Sequence, residues 1–183
     1  EGTTLPTPVD LILMDVLMGP DGRVVVDAIC VEVSMSEHIA EISWKRQTED
    51  FAYDHYNRAH EWKFDAGVVV PGSAAPAYKG ETDRVDPEEA FVASLSSCHM
   101  LTFLAIAAKK KLVVDAYEDR AVGRMEKNAA GKIAVTSVDL HPRVTFAPGV
   151  EIDAAILEKL HHDAHENCFI ANSVTTLVNV HSK

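Results

Sequence analysis

The sequence predicts an α+β fold. Two observations carry this: β-rich runs crowd both ends of the chain, and two helices with clear start signals interrupt them. The resulting order (strands, helix, hairpin, helix, strand) lacks the regular strand-helix alternation of a wound parallel sheet. At 183 residues, with 47% hydrophobic and 25% charged residues, the chain suits one domain with at most an appendage.

Residues 1–34 read as an N-terminal extension. Val9 to Met18 and Arg23 to Val33 are β-rich runs flanking Gly19-Pro20-Asp21-Gly22, so a hairpin is expected. Residues 10–16 also carry a weak likeness to the phosphoacceptor strand of a receiver domain, with Asp15 as the acceptor, but a receiver needs a longer doubly wound sheet. The main domain is expected over residues 35–183.

Within it, Ile39 to Lys45 alternates apolar and polar residues, and Phe51 to Tyr56 and Glu61 to Val70 continue the β signal, giving a possible meander. Pro71 to Gly80 is a loop. Asp86-Pro87-Glu88-Glu89 then supplies an N-cap, a first-position proline and acidic first-turn residues, so a helix should run to about Lys110. Phe91, Leu95, Cys98, Thr102 and Ile106 recur every three or four residues, which places Cys98 on its buried stripe. Tyr117 to Glu126 and Lys132 to Phe146 read as a hairpin through Gly131. A second helix follows over about 153–165, with Ile152, Ile156, Leu160 and Ala164 on one face, and Ser173 to His181 is a last strand.

The formal net charge of -11 argues against a nucleic-acid partner, because polyanion binding needs clustered cations. The run Lys109-Lys110-Lys111 suits a helix C-terminus, where cations meet the negative end of the dipole. No membrane span is expected, since no apolar run approaches the ~20 residues a bilayer requires. Without a basic segment leading into an apolar signal core, the chain reads as cytoplasmic. In a reducing compartment its three cysteines point to redox, catalytic or metal chemistry rather than a disulfide scaffold.

Cys98 and Cys168 stand out. Ser94, Ser96 and Ser97 precede Cys98 and His99 follows it; such small polar residues are poor helix formers that leave room for a substrate or another backbone. The alternative is a buried cysteine acting as a small hydrophobe. A peroxide-reducing cysteine needs a thiolate, a cation that holds it ionised and a second thiol. Cys168 can be that thiol, and Arg46, Arg58 and Arg84 are the candidate cations. Glu88 and Glu89 suit helix capping. His161 and His165, spaced i and i+4, raise a metal-binding alternative, although surface positions near a helix C-terminus suit these histidines better. Cys30 reads as structural.

Residues 86–99 (DPEEAFVASLSSCH) and 165–173 (HENCFIANS) resemble the two cysteine segments of the OsmC/Ohr family of hydroperoxide reductases. The resemblance covers about residues 38–181. It implies an OsmC-like fold, with antiparallel sheets wrapped around two long central helices in an intertwined homodimer whose active site lies at the subunit interface. It implies no cofactor and no metal. In it, Cys98 matches the peroxidatic cysteine and Cys168 the resolving cysteine, which form a disulfide that an external dithiol, such as a lipoyl protein, reduces. Glu88 matches the family's active-site glutamate, and Arg58 is the choice for the arginine, with Arg84 the alternative. Phe169 stands where many members carry proline, and His60 and His99 add imidazoles near the expected site. A metal- or ligand-binding stress protein with the same fold is the competing reading.

Overall fold

The computed structural model describes the strands Leu11–Met18 and Val24–Val31 and residues 36–182. The chain divides into two compact units, Glu1–Ala40 and Glu41–Lys183. In the first, β1 (Leu11–Met18) and β2 (Val24–Val31) pair antiparallel from Leu11 opposite Val31 to Met18 opposite Val24. The expected turn at residues 19–22 lies outside the described residues, as do the side chains of Asp15 and Cys30.

A three-stranded sheet in the order β3 (Ala40–Ser43), β4 (His60–Phe64), β5 (Val69–Gly72) follows. The expected strand over residues 51–56 does not form. Instead the amides of His55 and Tyr56 both donate to the Ala52 carbonyl, closing a turn, and Trp44 meets Phe51 and Tyr56 edge to face, the three ring centroids lying 5.1–6.4 Å apart. Aromatic clustering outweighs strand propensity here. The single strand expected over residues 61–70 is a hairpin, because Gly67 takes φ +80, a left-handed conformation that costs glycine little.

The long helix α1 (Pro87–Lys109) starts where its signals place it. Asp86 accepts from the Glu89 amide at 2.7 Å and Glu89 accepts in return from the Asp86 amide at 3.3 Å, a complete capping box. Two strands expected beyond it each divide in two, at residues 120–121 and at His141. Thus β6 (Val114–Asp119) pairs antiparallel with β9 (Pro142–Phe146), while β7 (Val122–Lys127) pairs with β8 (Ile133–Leu140). The expected turn at Gly131 joins β7 to β8, with φ +74. The second helix, α2 (Ala154–Glu166), is capped by Asp153, which accepts from the Ile156 amide at 2.8 Å. The last strand, β10 (Leu177–Val180), runs parallel to β8, so this sheet is mixed rather than purely antiparallel.

The core has two parts. Phe103 and Ala107 of α1 meet Leu160 and Ala164 of α2, and Leu95 of α1 meets Val138 and Leu140 of β8. The helix lies close on β7: a Cβ at Gly123 would fall 2.5 Å from Val92 Cγ2. The buried line of α1 is therefore Leu95, His99, Phe103, Ala107, turned from the expected stripe after Leu95, so Cys98, Thr102 and Ile106 flank it, half-buried. Contrary to the sequence expectation, α1 is long and apolar enough by length and composition to cross a membrane. Its serines, His99 and packing against α2 and the strands are those of a core helix.

Candidate functional site

The middle of α1 and the end of α2 bring the cysteines together. Cys98 projects from the middle of α1, half-buried, and Cys168 lies just past α2, 1% exposed, both as free thiols. The last turn of α2 sets the second: the Cys168 amide donates to the His165 carbonyl at 3.2 Å, and the Cys168 carbonyl accepts from the Asn172 amide at 3.0 Å. Burial pushes the Cys168 thiol up to about 11. Backbone amides of Ala171 and Ile170 pull the other way, and the hydrogen-bonded Cys98 thiol beside it adds to the rise. Cys168 is thus a protonated thiol at neutral pH, in contact with a more accessible one.

The two glutamates at the start of α1 divide their work. Glu89 closes the capping box, whereas Glu88, half-buried, carries no hydrogen bond or ion pair among the described residues. Its carboxylate lines a groove of about 790 Å³ with Ser96, Ser97, Met100, Tyr117 and Asp119. Asp119 braces the groove: it accepts from Ser96 Oγ at 2.5 Å and from the His141 amide at 2.7 Å. Glu88 and Cys98 are ten positions apart on one helix, about 15 Å at 1.5 Å per residue, so they do not meet within one chain.

The candidate arginines have other partners. Arg58, in the loop before β4, is 8% exposed and donates to the carbonyls of Tyr53 and Tyr56. Its guanidinium lies 3.8 Å from the centre of the Tyr56 ring. His60 fixes that loop, donating from Nδ1 to the Arg58 carbonyl at 2.8 Å and accepting from Trp62 Nε1 at 2.6 Å. Arg84 faces Glu81, and Arg46 folds back on the carbonyls of Thr48 and Glu49. Among the described residues no ion pair joins any of these arginines to Glu88.

A model of the family described as OsmC-like protein matches residues 80–183. An OsmC-like protein of unknown function from Vibrio cholerae, 51% identical, superposes with a TM-score of 0.79 over 81% of this chain and 100% of its own. The chain belongs to the OsmC-like family. More distant members share the fold: an OsmC-like protein from Mycoplasma pneumoniae has 14% identity and a TM-score of 0.64 over 82% of this chain and 98% of that one. For the organic hydroperoxide resistance protein OhrB of Bacillus subtilis the values are 18% and 0.61, over 82% and 100%. A comparison with curated proteins finds no match.

This OsmC-like chain also holds a cluster that sequence reading missed. His161, expected near the surface, is 3% exposed, and His99 is 1% exposed. Their rings stack with centroids 5.4 Å apart, and His99 Nε2 lies 3.1 Å from His161 Nδ1. Burial pushes both imidazoles down to about 4, His99 further disfavoured by the charges His161 and His165 would carry. His99 Nδ1, His161 Nε2, His165 Nδ1 and the Tyr117 hydroxyl are all buried without a hydrogen-bond partner among the described residues. Each such group costs about 1–3 kcal/mol in a protein interior. The signal was the stripe itself, since Leu95, His99, Phe103 and Ala107 recur every fourth residue. As expected from their spacing, His161 and His165 share a face of α2, but that face is turned inward. Among the described residues no three His, Cys, Asp or Glu side chains come together as a metal-ligating group.

Proposed function

We propose that this OsmC-like protein is a thiol-dependent peroxidase that reduces organic hydroperoxides to alcohols in defence against oxidative stress. The observation that carries this reading is the pairing of an accessible thiol, Cys98, with a buried, protonated one, Cys168. That asymmetry suits an attacking and a resolving cysteine. The Cys98 thiolate attacks the distal peroxide oxygen, the O–O bond breaks, the hydroxyl stays on the sulfur so that Cys98 becomes a sulfenic acid, and the departing alkoxide takes a proton from solvent to leave as the alcohol. Cys168 then condenses with it, releasing water and forming the disulfide, which an external dithiol, such as a lipoyl protein, reduces by exchange. The hydroperoxide-resistance names carried by relatives of this fold from Bacillus subtilis and Legionella pneumophila agree with the reading.

The active form in this reading is a homodimer. Glu88 cannot reach its own Cys98, and α1 leaves Ala93, Ser97, Leu101 and Ala105 exposed in line along its surface, a strip of small and apolar residues suited to a second helix. A partner chain would bring its Glu88 to this Cys98, with Arg58 completing the site and Arg84 as the alternative. The test is consumption of cumene hydroperoxide by the reduced protein, followed by peptide mapping. Turnover with a Cys98–Cys168 disulfide formed only after peroxide is expected. Activity that survives Cys98→Ser would overturn the reading.

A further inference from the structure

His60 takes no part in the chemistry above, yet it is bonded to the arginine chosen for the site. Arg58 is 8% exposed, and its guanidinium donates to the carbonyls of Tyr53 and Tyr56 while its central carbon lies 3.8 Å from the centre of the Tyr56 ring. A guanidinium has five N–H groups, and those not given to the two carbonyls have no partner among the described residues. An open edge of this kind matches a carboxylate. It is useful only where the loop before β4 is held in one place.

The His60 ring supplies that hold in two directions. Nδ1 donates to the Arg58 carbonyl at 2.8 Å, and Nε2 accepts from Trp62 Nε1 at 2.6 Å. A carbonyl can only accept and an indole N–H can only donate, so both ring nitrogens are used and the tautomer is fixed. His60 and Trp62 are two apart on β4 and share a face, and His60 stands opposite Gly72 of β5. A Cβ at Gly72 would fall 2.7 Å from His60 Nε2 and 2.7 Å from Trp62 Nε1, so the bonded pair rests directly on the Gly72 backbone. From there the path continues to α1. Gly72 bridges to Val85, with the Ser73 amide donating to the Val85 carbonyl at 3.0 Å and the Val85 amide to the Pro71 carbonyl at 3.1 Å. Val85 precedes the N-cap Asp86, and Glu88 lies in the first turn that follows. One continuous set of contacts therefore runs from the Arg58 loop to the segment that carries Glu88 in the same chain.

We propose that His60 is a positioning residue for Arg58: seated on Gly72, it fixes the loop that carries the guanidinium to the start of α1, so that one chain presents Arg58 and Glu88 together to the Cys98 of the other. This rests on the peroxidase reading and its dimer. His60 touches neither peroxide nor sulfur and acts only through where it puts Arg58. In the assembled site Glu88 accepts from the open edge of the guanidinium, and the positive charge favours the thiolate form of the attacking cysteine.

The experiment measures sulfenic-acid formation at Cys98 in the reduced full chain after one equivalent of cumene hydroperoxide, at neutral and at alkaline pH. Arg58→Ala should slow it at neutral pH by about tenfold or more, the effect of removing a cation from beside a thiolate, and should approach the wild-type rate at alkaline pH, where hydroxide ionises the thiol unaided. His60→Phe should reproduce most of that loss with the same alkaline recovery. His60→Asn, whose side-chain amide can still donate to the Arg58 carbonyl, should regain at least half of the neutral rate. Trp62→Phe, which removes the indole donor, and Gly72→Ala, which drives a methyl group into the pair, should fall between His60→Phe and wild type. A His60→Phe rate that is unchanged, or reduced equally at both pH values as loss of folded protein would reduce it, overturns the positioning role. Where His60→Phe fails to fold, a Trp62→Phe protein with the wild-type profile overturns it in the same way. An Arg58→Ala profile like that of wild type, with turnover still dependent on Cys98, overturns the roles of Arg58 and His60 and leaves the peroxidase reading standing. A wild-type protein that forms no sulfenic acid overturns that reading as well.

Discussion

The body built from α1, α2 and β6 to β10 encloses its own core, whereas the β3–β4–β5 sheet encloses almost none. Phe103, Leu95, Leu140 and Leu160 are 0–1% exposed, while Ile42 is 61% exposed and Val69 48%. Burial of an apolar side chain contributes about 1.5–3 kcal/mol, so the body has a folding driving force of its own and the sheet lacks one. The sheet and the open strip of α1 gain theirs only when something covers them, and in the proposed dimer that is the second chain. The body also holds both cysteines, while Arg58 belongs to the loop that feeds the sheet.

The sharpest way to break this contrast is at the thiols. Cys98→Ser should reduce peroxide consumption to the uncatalysed rate, while Cys168→Ser should allow about one turnover and then stall, read by mass as oxidised Cys98. Next comes complementation between chains. Cys98→Ser and Glu88→Ala proteins should each be inactive alone, and their mixed dimer should recover one of its two sites, because the intact Glu88 and the intact Cys98 then meet across the interface. A mixed dimer without activity would place Glu88 with its own chain and undo the division of labour.

Stability should follow the same line. Phe103→Ala is expected to cost about 3–5 kcal/mol in denaturant unfolding. Ile42→Ala, measured on protein dilute enough to be monomeric, should stay within about 0.5 kcal/mol, and a larger loss would show that the sheet has a core of its own. A further effect concerns pH. His99 and His161 are held near 4 in the folded chain, below their ordinary 6.5, so between those values the unfolded chain binds more protons. Stability should be full above about pH 6.5 and fall by a few kcal/mol as pH drops through that window. In His99→Phe/His161→Phe that decline should flatten.

How legible the molecule was depends on how local each feature is. The start of α1 was readable because its cap is contained in residues 86–89. The Gly131 turn and the Asp153 cap were equally local. In residues 132–146 only Pro142, which has no N–H for a ladder, marks the break beside His141, and a proline does not say that the two halves join different sheets. Residues 51–56 had strand-forming side chains, but their contacts with Trp44 and Arg58 come from outside the window. The site divided in the same way: the cysteines were legible from their flanking segments. The roles of Glu88 and Glu89 separated only once hydrogen bonds showed which carboxylate caps the helix. The histidines were misplaced because position near a helix end says nothing about which side of the helix faces inward.

Cys168 and Phe169 lie on one turn with opposite exposure, 1% and 74%. In the disulfide proposed for this protein, that makes the two sulfurs unequal as targets. An incoming dithiolate can approach only the sulfur of Cys98, so electrons enter there and Cys168 is always the group expelled. The turn after α2 has the amides of Ile170 and Ala171 directed at that sulfur, where they stabilise the departing thiolate. Exchange in the proposed mechanism would therefore be one-sided.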